Sequence, residues 1–265
     1  RHGSEFTLMS ARTIRTFAGA EALAEAAAQE FVRCAREAIA ARGRFTVALS
    51  GGSTPRRYYQ LLAGEPFRDQ VNWNRIEFFW GDERCVPPDH PDSNYGMARE
   101  AMLSHLPIPA EHIHRLEGER ADRDAAARDY EAVISRVFGV ATGGEPPAID
   151  LNLLGMGANG HTASLFPYTK ALDETARWVV ANFVPELNAD RLTMTRPMLN
   201  RSREVLFVVA GADKAEPLAE VLTGPPDPKR LPAQLIQPAE SLVWFVERAA
   251  AAHLPSSLIS ENARG

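Results

Sequence analysis

Five short runs rich in β-branched and aromatic residues punctuate the chain: RFTVALS (Arg44 to Ser50), RIEFFWGDE (Arg75 to Glu83), AIDLNLLGMG (Ala148 to Gly157), EVLFVVAG (Glu204 to Gly211) and SLVWFVE (Ser241 to Glu247). Each is apolar on both alternating faces, so each needs cover on both sides. Helix-patterned stretches between them supply that cover. Glu21 to Arg42 is amphipathic and ends at Gly43, and Asn94 to Leu103, Arg120 to Phe138 and a segment near DKAEPLAEVL follow the same period. Strands alternating with helices predict an α/β fold, three layers deep, around a mostly parallel sheet. RWVVANFV and RLTMT have no helix between them, which predicts a small antiparallel excursion. No repeat or long linker divides the chain, so one domain is expected over residues 9–255.

Composition narrows the function classes. Of 265 residues, 45% are hydrophobic and 24% charged, which fits a packed core. The net charge of −5 argues against a broad nucleic-acid surface, which would need a basic excess. It leaves room for a small anion held by local cations. Cys34 and Cys85 are too few for a disulfide framework and lack metal-ligand spacing, so a reducing, cytoplasmic setting is expected. Cys34 shares an apolar helical face with Leu23, Ala27, Phe31 and Ala38, where packing is its expected role. No apolar run reaches the ~20 residues of a membrane span, and Glu21 and Glu25 interrupt the Ala-rich stretch after Ala18. The expected partner is a small molecule, with neither nucleic acid nor membrane, and monomer and homodimer both remain open. The opening RHGSEFTL reads as tag and cloning remnant ahead of Met9, and the last ten residues, 256–265, as a disordered tail.

The chemistry gathers at strand exits, where open α/β sheets bind ligands. SGGSTP follows the first run. Ser53 or Thr54 is placed to cap the next helix, Pro55 suits its first turn, and Gly51 and Gly52 allow close backbone approach to a phosphate, with Ser50 adding a hydroxyl. An ordinary capped turn explains the loop equally well. WGDER sets Asp82, Glu83 and Arg84 beyond the second run. Arg84 either meets an anion with its planar fork or pairs with a neighbouring carboxylate. AGADKA puts Lys214 at a helix start, where its charge opposes the dipole; an anion partner and plain solvation of an exposed lysine are the alternatives. GMGANGHTAS carries His161 behind three glycines. A base, a metal ligand and a space-filling turn residue are the alternatives. Two further ligands at useful spacing are missing for a metal, and the three polar loops beside it favour the base. His112 and His114 alternate without a third ligand and are expected to be surface or core residues.

Together VALSGGSTPRRYYQLL, FFWGDERCVPPDHPDSNYGMA, DLNLLGMGANGHTASLFP and RLTMTRPMLNRSREVLFVVAGADKA resemble the 6-phosphogluconolactonase family, over about Ala20 to Glu247. Four motifs in the same order make the resemblance specific. It implies a Rossmann-like α/β fold and hydrolysis of 6-phosphoglucono-δ-lactone in the pentose phosphate pathway, with no cofactor and no metal. By the same resemblance His161 is the catalytic histidine. Ser50 to Thr54 form the phosphate loop, with Arg84, Lys214 and Arg191 as its cations. The family's usual Asp two residues before the histidine is Asn159 here. An amide can bind a hydroxyl, hold the loop or help an oxyanion together with backbone N–H groups, but it is not a charged base. His161 is therefore left as the proton acceptor, and Asp82 is expected either to orient it or to support the loop. The related glucosamine-6-phosphate deaminase carries that Asp and a Glu shortly after the histidine, and this chain has neither. A non-catalytic sugar-phosphate sensor is the remaining alternative, although no helix-turn-helix accompanies it.

Overall fold

The computed structural model describes residues 12–260. The tag assignment at residues 1–8 lies outside them. The described residues open with strand β1 (Arg12–Phe17), which the sequence patterning missed. The chain continues through α1 (Ala20–Arg42), β2 (Phe45–Leu49), α2 (Ser53–Leu62), β3 (Ile76–Trp80), β4 (Asp82–Arg84), α3 (Asn94–Ala101), α4 (Arg123–Phe138) and β5 (Leu151–Leu154). Then come β6 (Val179–Val184), β7 (Ala189–Met194), α5 (Arg196–Asn200), β8 (Glu204–Val209), α6 (Ala215–Thr223) and β9 (Ser241–Glu247). Six strands form one sheet in the order β1-β9-β8-β5-β2-β3, every neighbouring pair parallel. β4, β7 and β6 form a small antiparallel sheet. The expected α/β class and the antiparallel excursion are both present.

Local chemistry accounts for the boundaries. α1 buries Leu23, Ala27, Phe31, Cys34 and Ala38 on one face and stops at Gly43, whose φ of 81° lets its N–H reach Ile39 O. α4 starts later than Arg120 because Asp122 caps it, accepting the Ala125 N–H. β2, β5 and β8 are buried along their whole length, as central parallel strands require. Cys34 and Cys85 are free thiols. No helix among the described residues is long and apolar enough to cross a membrane.

Two expectations change. RIEFFWGDE is not one strand: it leaves the large sheet at Gly81, whose N–H donates to Leu49 O while its carbonyl accepts from Met194 N–H, and enters the small sheet as β4. The tail is ordered at least to Ser260. Ser256–Leu258 form a 3-10 turn, and the Ser260 N–H donates to Ile14 O at 2.7 Å on β1. Residues 261–265 lie outside the described residues.

The strand order sets the site. From β2 the chain steps outward to β3, whereas from β5 it steps the other way through β8 to β9. β2 and β5 are neighbours, so the crevice beyond their carboxyl ends is a topological switch point, where open sheets bind ligands.

Candidate active site

At that crevice lies a cavity of about 220 Å³. The loop after β2 contributes Ser50, Gly51, Gly52, Ser53 and Thr54. β4 contributes Asp82 and Arg84, the loop after β5 contributes His161, β7 contributes Arg191, and the turn after β8 contributes Lys214. Of the residues expected to be catalytic or to bind the phosphate, Asn159 alone stands off the cavity wall, behind the histidine. Segments from five strands thus converge on one hollow.

The loop after β2 is clasped from below. The Tyr59 hydroxyl accepts the Ser50 N–H at 3.0 Å and donates to the Ser50 carbonyl at 2.9 Å. Neither Ser53 nor Thr54 caps α2, contrary to expectation. The N-cap is Gly52 at φ 108°, and no side chain bonds the first turn. The helix start therefore opens onto the cavity with its positive dipole end uncapped, a geometry suited to an anion. Gly51 also has a packing reason: a Cβ there would lie 1.8 Å from Asn94 Oδ1.

The cations are brought together by register. In the β4–β7 pair, Arg84 stands directly opposite Arg191. Like charges in that relation repel unless an anion lies between them. Burial, and then Arg84, push the Arg191 guanidinium below its ordinary pKa. Among the described residues the Arg84 guanidinium forms no ion pair with a carboxylate. Its Nη1 donates to the Asp92 carbonyl at 3.1 Å, and its buried Nε finds no partner among the described residues. Lys214 approaches only Asp213, at 3.9 Å, among the described residues. These are three cations with spare donors around one hollow.

The imidazole is fixed on three sides. The His161 ring stacks on Phe166 with centroids 4.1 Å apart, and Arg191 covers the Phe166 ring at 5.7 Å. Nδ1 lies 2.6 Å from Asn159 Oδ1, which also accepts the His161 backbone N–H at 3.1 Å. The orientation of the amide is set by its other end, where Nδ2 donates to Glu186 Oε1 at 3.0 Å. Oδ1 therefore faces the ring, Nδ1 carries the proton in the neutral imidazole, and Nε2 is the free acceptor. A Cβ at position 157 would lie 2.1 Å from Nδ1, so the loop needs Gly157 for the ring to sit there. Burial above all, with Arg191, Arg84 and Lys214 acting in the same direction and Asp82 opposing them, pushes the His161 pKa down to about 4.

Among the described residues Asp82 makes no hydrogen bond to His161. Its Oδ2 accepts from the Ser164 hydroxyl at 2.6 Å and its Oδ1 from Asn94 Nδ2 at 3.3 Å, tying the His161 loop to α3. Glu83 turns inward to accept the N–H groups of Asn94 and Tyr95, bonding the start of α3. Some of the expected oxyanion donors are engaged within the loop. Gly157 N–H goes to His161 O, Gly160 N–H to Gly157 O, and both ends of the Asn159 amide are bonded. His112 and His114 sit apart, both facing Glu77, with His114 Nε2 at 2.6 Å. Sequence reasoning missed Asn94, Ser164, Phe166 and Glu186. Ser164 and Phe166 stand in the histidine motif itself, but nothing near Glu186 in the sequence marks it.

Residues 18–244 match the family described as glucosamine-6-phosphate isomerases/6-phosphogluconolactonase. The chain belongs to that family. A 6-phosphogluconolactonase of Synechocystis is 45% identical over 221 residues, covering 82% of this chain and 88% of that protein. One from Mycobacterium tuberculosis is 37% identical over 249 residues, covering 92% and 99%. The 6-phosphogluconolactonase of Trypanosoma cruzi superposes with a TM-score of 0.81 at 28% identity, over 93% of this chain and 98% of the other. A monomeric glucosamine-6-phosphate deaminase superposes at 0.74 with 22% identity, a likeness of fold alone.

Proposed function

We propose that this chain is a 6-phosphogluconolactonase, opening 6-phospho-D-glucono-1,5-lactone to 6-phosphogluconate in the pentose phosphate pathway. One observation carries the reading: a histidine with a fixed, Nε2-free tautomer lines the same small cavity as three cations and an uncapped helix start. The phosphate lies between the α2 N-terminus and Arg84, Arg191 and Lys214, with Ser50, Ser53 and Thr54 offering hydroxyls and the Gly51–Gly52 backbone leaving room. A cavity of about 220 Å³ then holds the sugar ring close to the imidazole. Nε2 takes a proton from water as its oxygen attacks the lactone carbonyl carbon. The tetrahedral intermediate collapses with cleavage of the bond from that carbon to the ring oxygen, and Nε2 returns the proton to the ring oxygen. The product has a carboxylic acid and a free hydroxyl, and the acid ionises at neutral pH.

A cationic cavity also has a bearing on the base. An imidazole at about 4 is neutral throughout the physiological range but weakly basic. A bound phosphate offsets the three cations that depress it and brings the ring closer to the neutral pH at which a general base works best. Substrate binding and base strength are coupled through charge.

The experiment is lactone-dependent acid release by the wild type and His161→Ala, corrected for spontaneous hydrolysis, with ammonia release from glucosamine 6-phosphate measured alongside. The variant is expected to lose at least ~100-fold in kcat. Near-normal turnover in a folded variant would remove His161 from the role. Ammonia release without lactonase activity would replace the reading with the deaminase. Binding of 6-phosphogluconate without either turnover would leave a sensor.

A further inference from the structure

The amide that holds the catalytic ring is itself held by a carboxylate. Glu186 lies in the 3-10 turn Pro185–Leu187 at the tip of the β6–β7 hairpin, 27 residues from Asn159 in sequence. Its Oε1 accepts from Asn159 Nδ2 at 3.0 Å, and on the far side of the same amide Oδ1 meets His161 Nδ1 at 2.6 Å. We propose that Glu186 is a positioning residue for His161: through the Asn159 amide it locks the Nδ1-protonated tautomer and supplies the negative charge that steadies the imidazolium formed when Nε2 takes a proton. The proposal rests on the reading of His161 as the general base.

Two physical arguments support it. A neutral amide is a weaker acceptor than a carboxylate, but an anion bonded at Nδ2 polarises it and places more negative charge on Oδ1. The Nδ1–H···Oδ1 bond then strengthens as the ring gains charge. An amide is also reversible. Turned over, it would present Nδ2 to the ring and force the proton onto Nε2, where no base remains. A carboxylate opposite Nδ2 disfavours that turn, because the flipped amide would place oxygen against oxygen. The bond from His161 N–H to Oδ1 acts in the same direction.

The surroundings keep the two ends electrically distinct. His161 faces Asp82, Arg84, Arg191 and Lys214. Glu186 faces a separate groove of about 760 Å³ that also holds Asp213, Glu216, Glu220 and Arg230, the last bound by Glu220 and Asp227. That groove carries the wrong charge for a sugar phosphate, and Asn159 lines it while bonding the ring on its other side. The amide is thus the link between an acidic rim and a basic cavity.

The wiring can be reversed on paper without changing its net charge. Glu186→Gln keeps an acceptor for Asn159 Nδ2 but removes the charge. Asn159→Asp puts a carboxylate on the ring but sets it against Glu186 across a 3.0 Å gap. The two substitutions together restore one anion, one amide and complementary donors, in the opposite order.

The test is kcat, KM and the pH profile of lactone hydrolysis for wild type, His161→Ala, each single variant and the double variant. Glu186→Gln is expected to lower kcat about fivefold, the difference between a charge-assisted and a neutral hydrogen bond, with KM within about twofold. The acid limb of its kcat/KM is expected to move to lower pH, since the ring has lost an anion. The double variant should be more active than either single one, and losses that simply multiply would overturn the proposal. So would a Glu186→Gln enzyme with wild-type kcat and an unmoved acid limb, alongside an inactive His161→Ala. An active His161→Ala overturns both this proposal and the base assignment, which separates the two failures.

Discussion

Arg191 is the sharpest place to probe the cavity, because its neighbours nearly cancel in the free protein and do not cancel when phosphate is bound. In Arg191→Met the cation over Phe166, 5.7 Å from the ring centre, is lost, which costs about 0.5–1 kcal/mol. The repulsion from Arg84, directly opposite in the β4–β7 register, is relieved, which returns about 0.2–1 kcal/mol. A depressed guanidinium no longer has to be buried. Stability should change little, with Tm shifting by no more than about 4 °C in either direction. Substrate binding has no such offset. A hydrogen bond to a charged group contributes about 1.5–3 kcal/mol, so KM should rise about 10- to 150-fold. kcat should fall far less, since the proposed contact is the same in ground and transition states. Because the Arg191 charge lowers the His161 pKa, the acid limb of kcat/KM should move to higher pH. Initial-rate kinetics and thermal melts, with and without 6-phosphogluconate, measure all of these. A fall of ~10 °C in Tm with unchanged KM would refute the reasoning, for Arg191 would then be holding the fold and not an anion.

Wild-type pH dependence should differ between the free and bound enzyme. A neutral imidazole is required, so activity is lost as pH falls through its pKa. The acid limb of kcat/KM should lie near the His161 value of about 4, and that of kcat at higher pH, because phosphate neutralises the depressing cations. Coincident limbs would contradict the electrostatic coupling. Gly157→Ala should drive a Cβ into Nδ1, which lies 2.1 Å from its ideal position, and separate the ring from Asn159. kcat should approach the ~100-fold loss expected of His161→Ala with the circular dichroism unchanged, and wild-type turnover would show that the ring does not need that seat.

Particular elements show what could be read in advance. Strands β2, β5 and β8 were legible because fully buried strands are written as unbroken apolar runs, and β9 because its centre, Trp244 to Val246, is one. α1 was legible because its apolar face repeats at the helical period and Gly43 ends it. β1 was not, since most of its RTIRTF residues are only half-buried and Ile14 alone is buried, so no pattern announces it. The break at Gly81 was hidden for a different reason. Both halves of RIEFFWGDE are buried, and the parting of two sheets depends on where Leu49 and Met194 stand.

The candidate site divides the same way. The linear sequence determined which loops carry chemistry, because glycines, hydroxyls, arginines and one histidine cluster just past apolar runs, and those loops share a sheet edge. Sequence also put Asn159 two residues from His161, within reach of the ring. Only the tertiary structure decided the relations across distance. Pairing of β4 with β7 set two arginines face to face, folding of the histidine loop against α3 turned Asp82 to Ser164 and Asn94, and the β6–β7 hairpin delivered Glu186 to the far side of an amide. A residue's type follows from its position in the chain, but the charge it faces follows from strand register and loop packing, and those are properties of the folded whole.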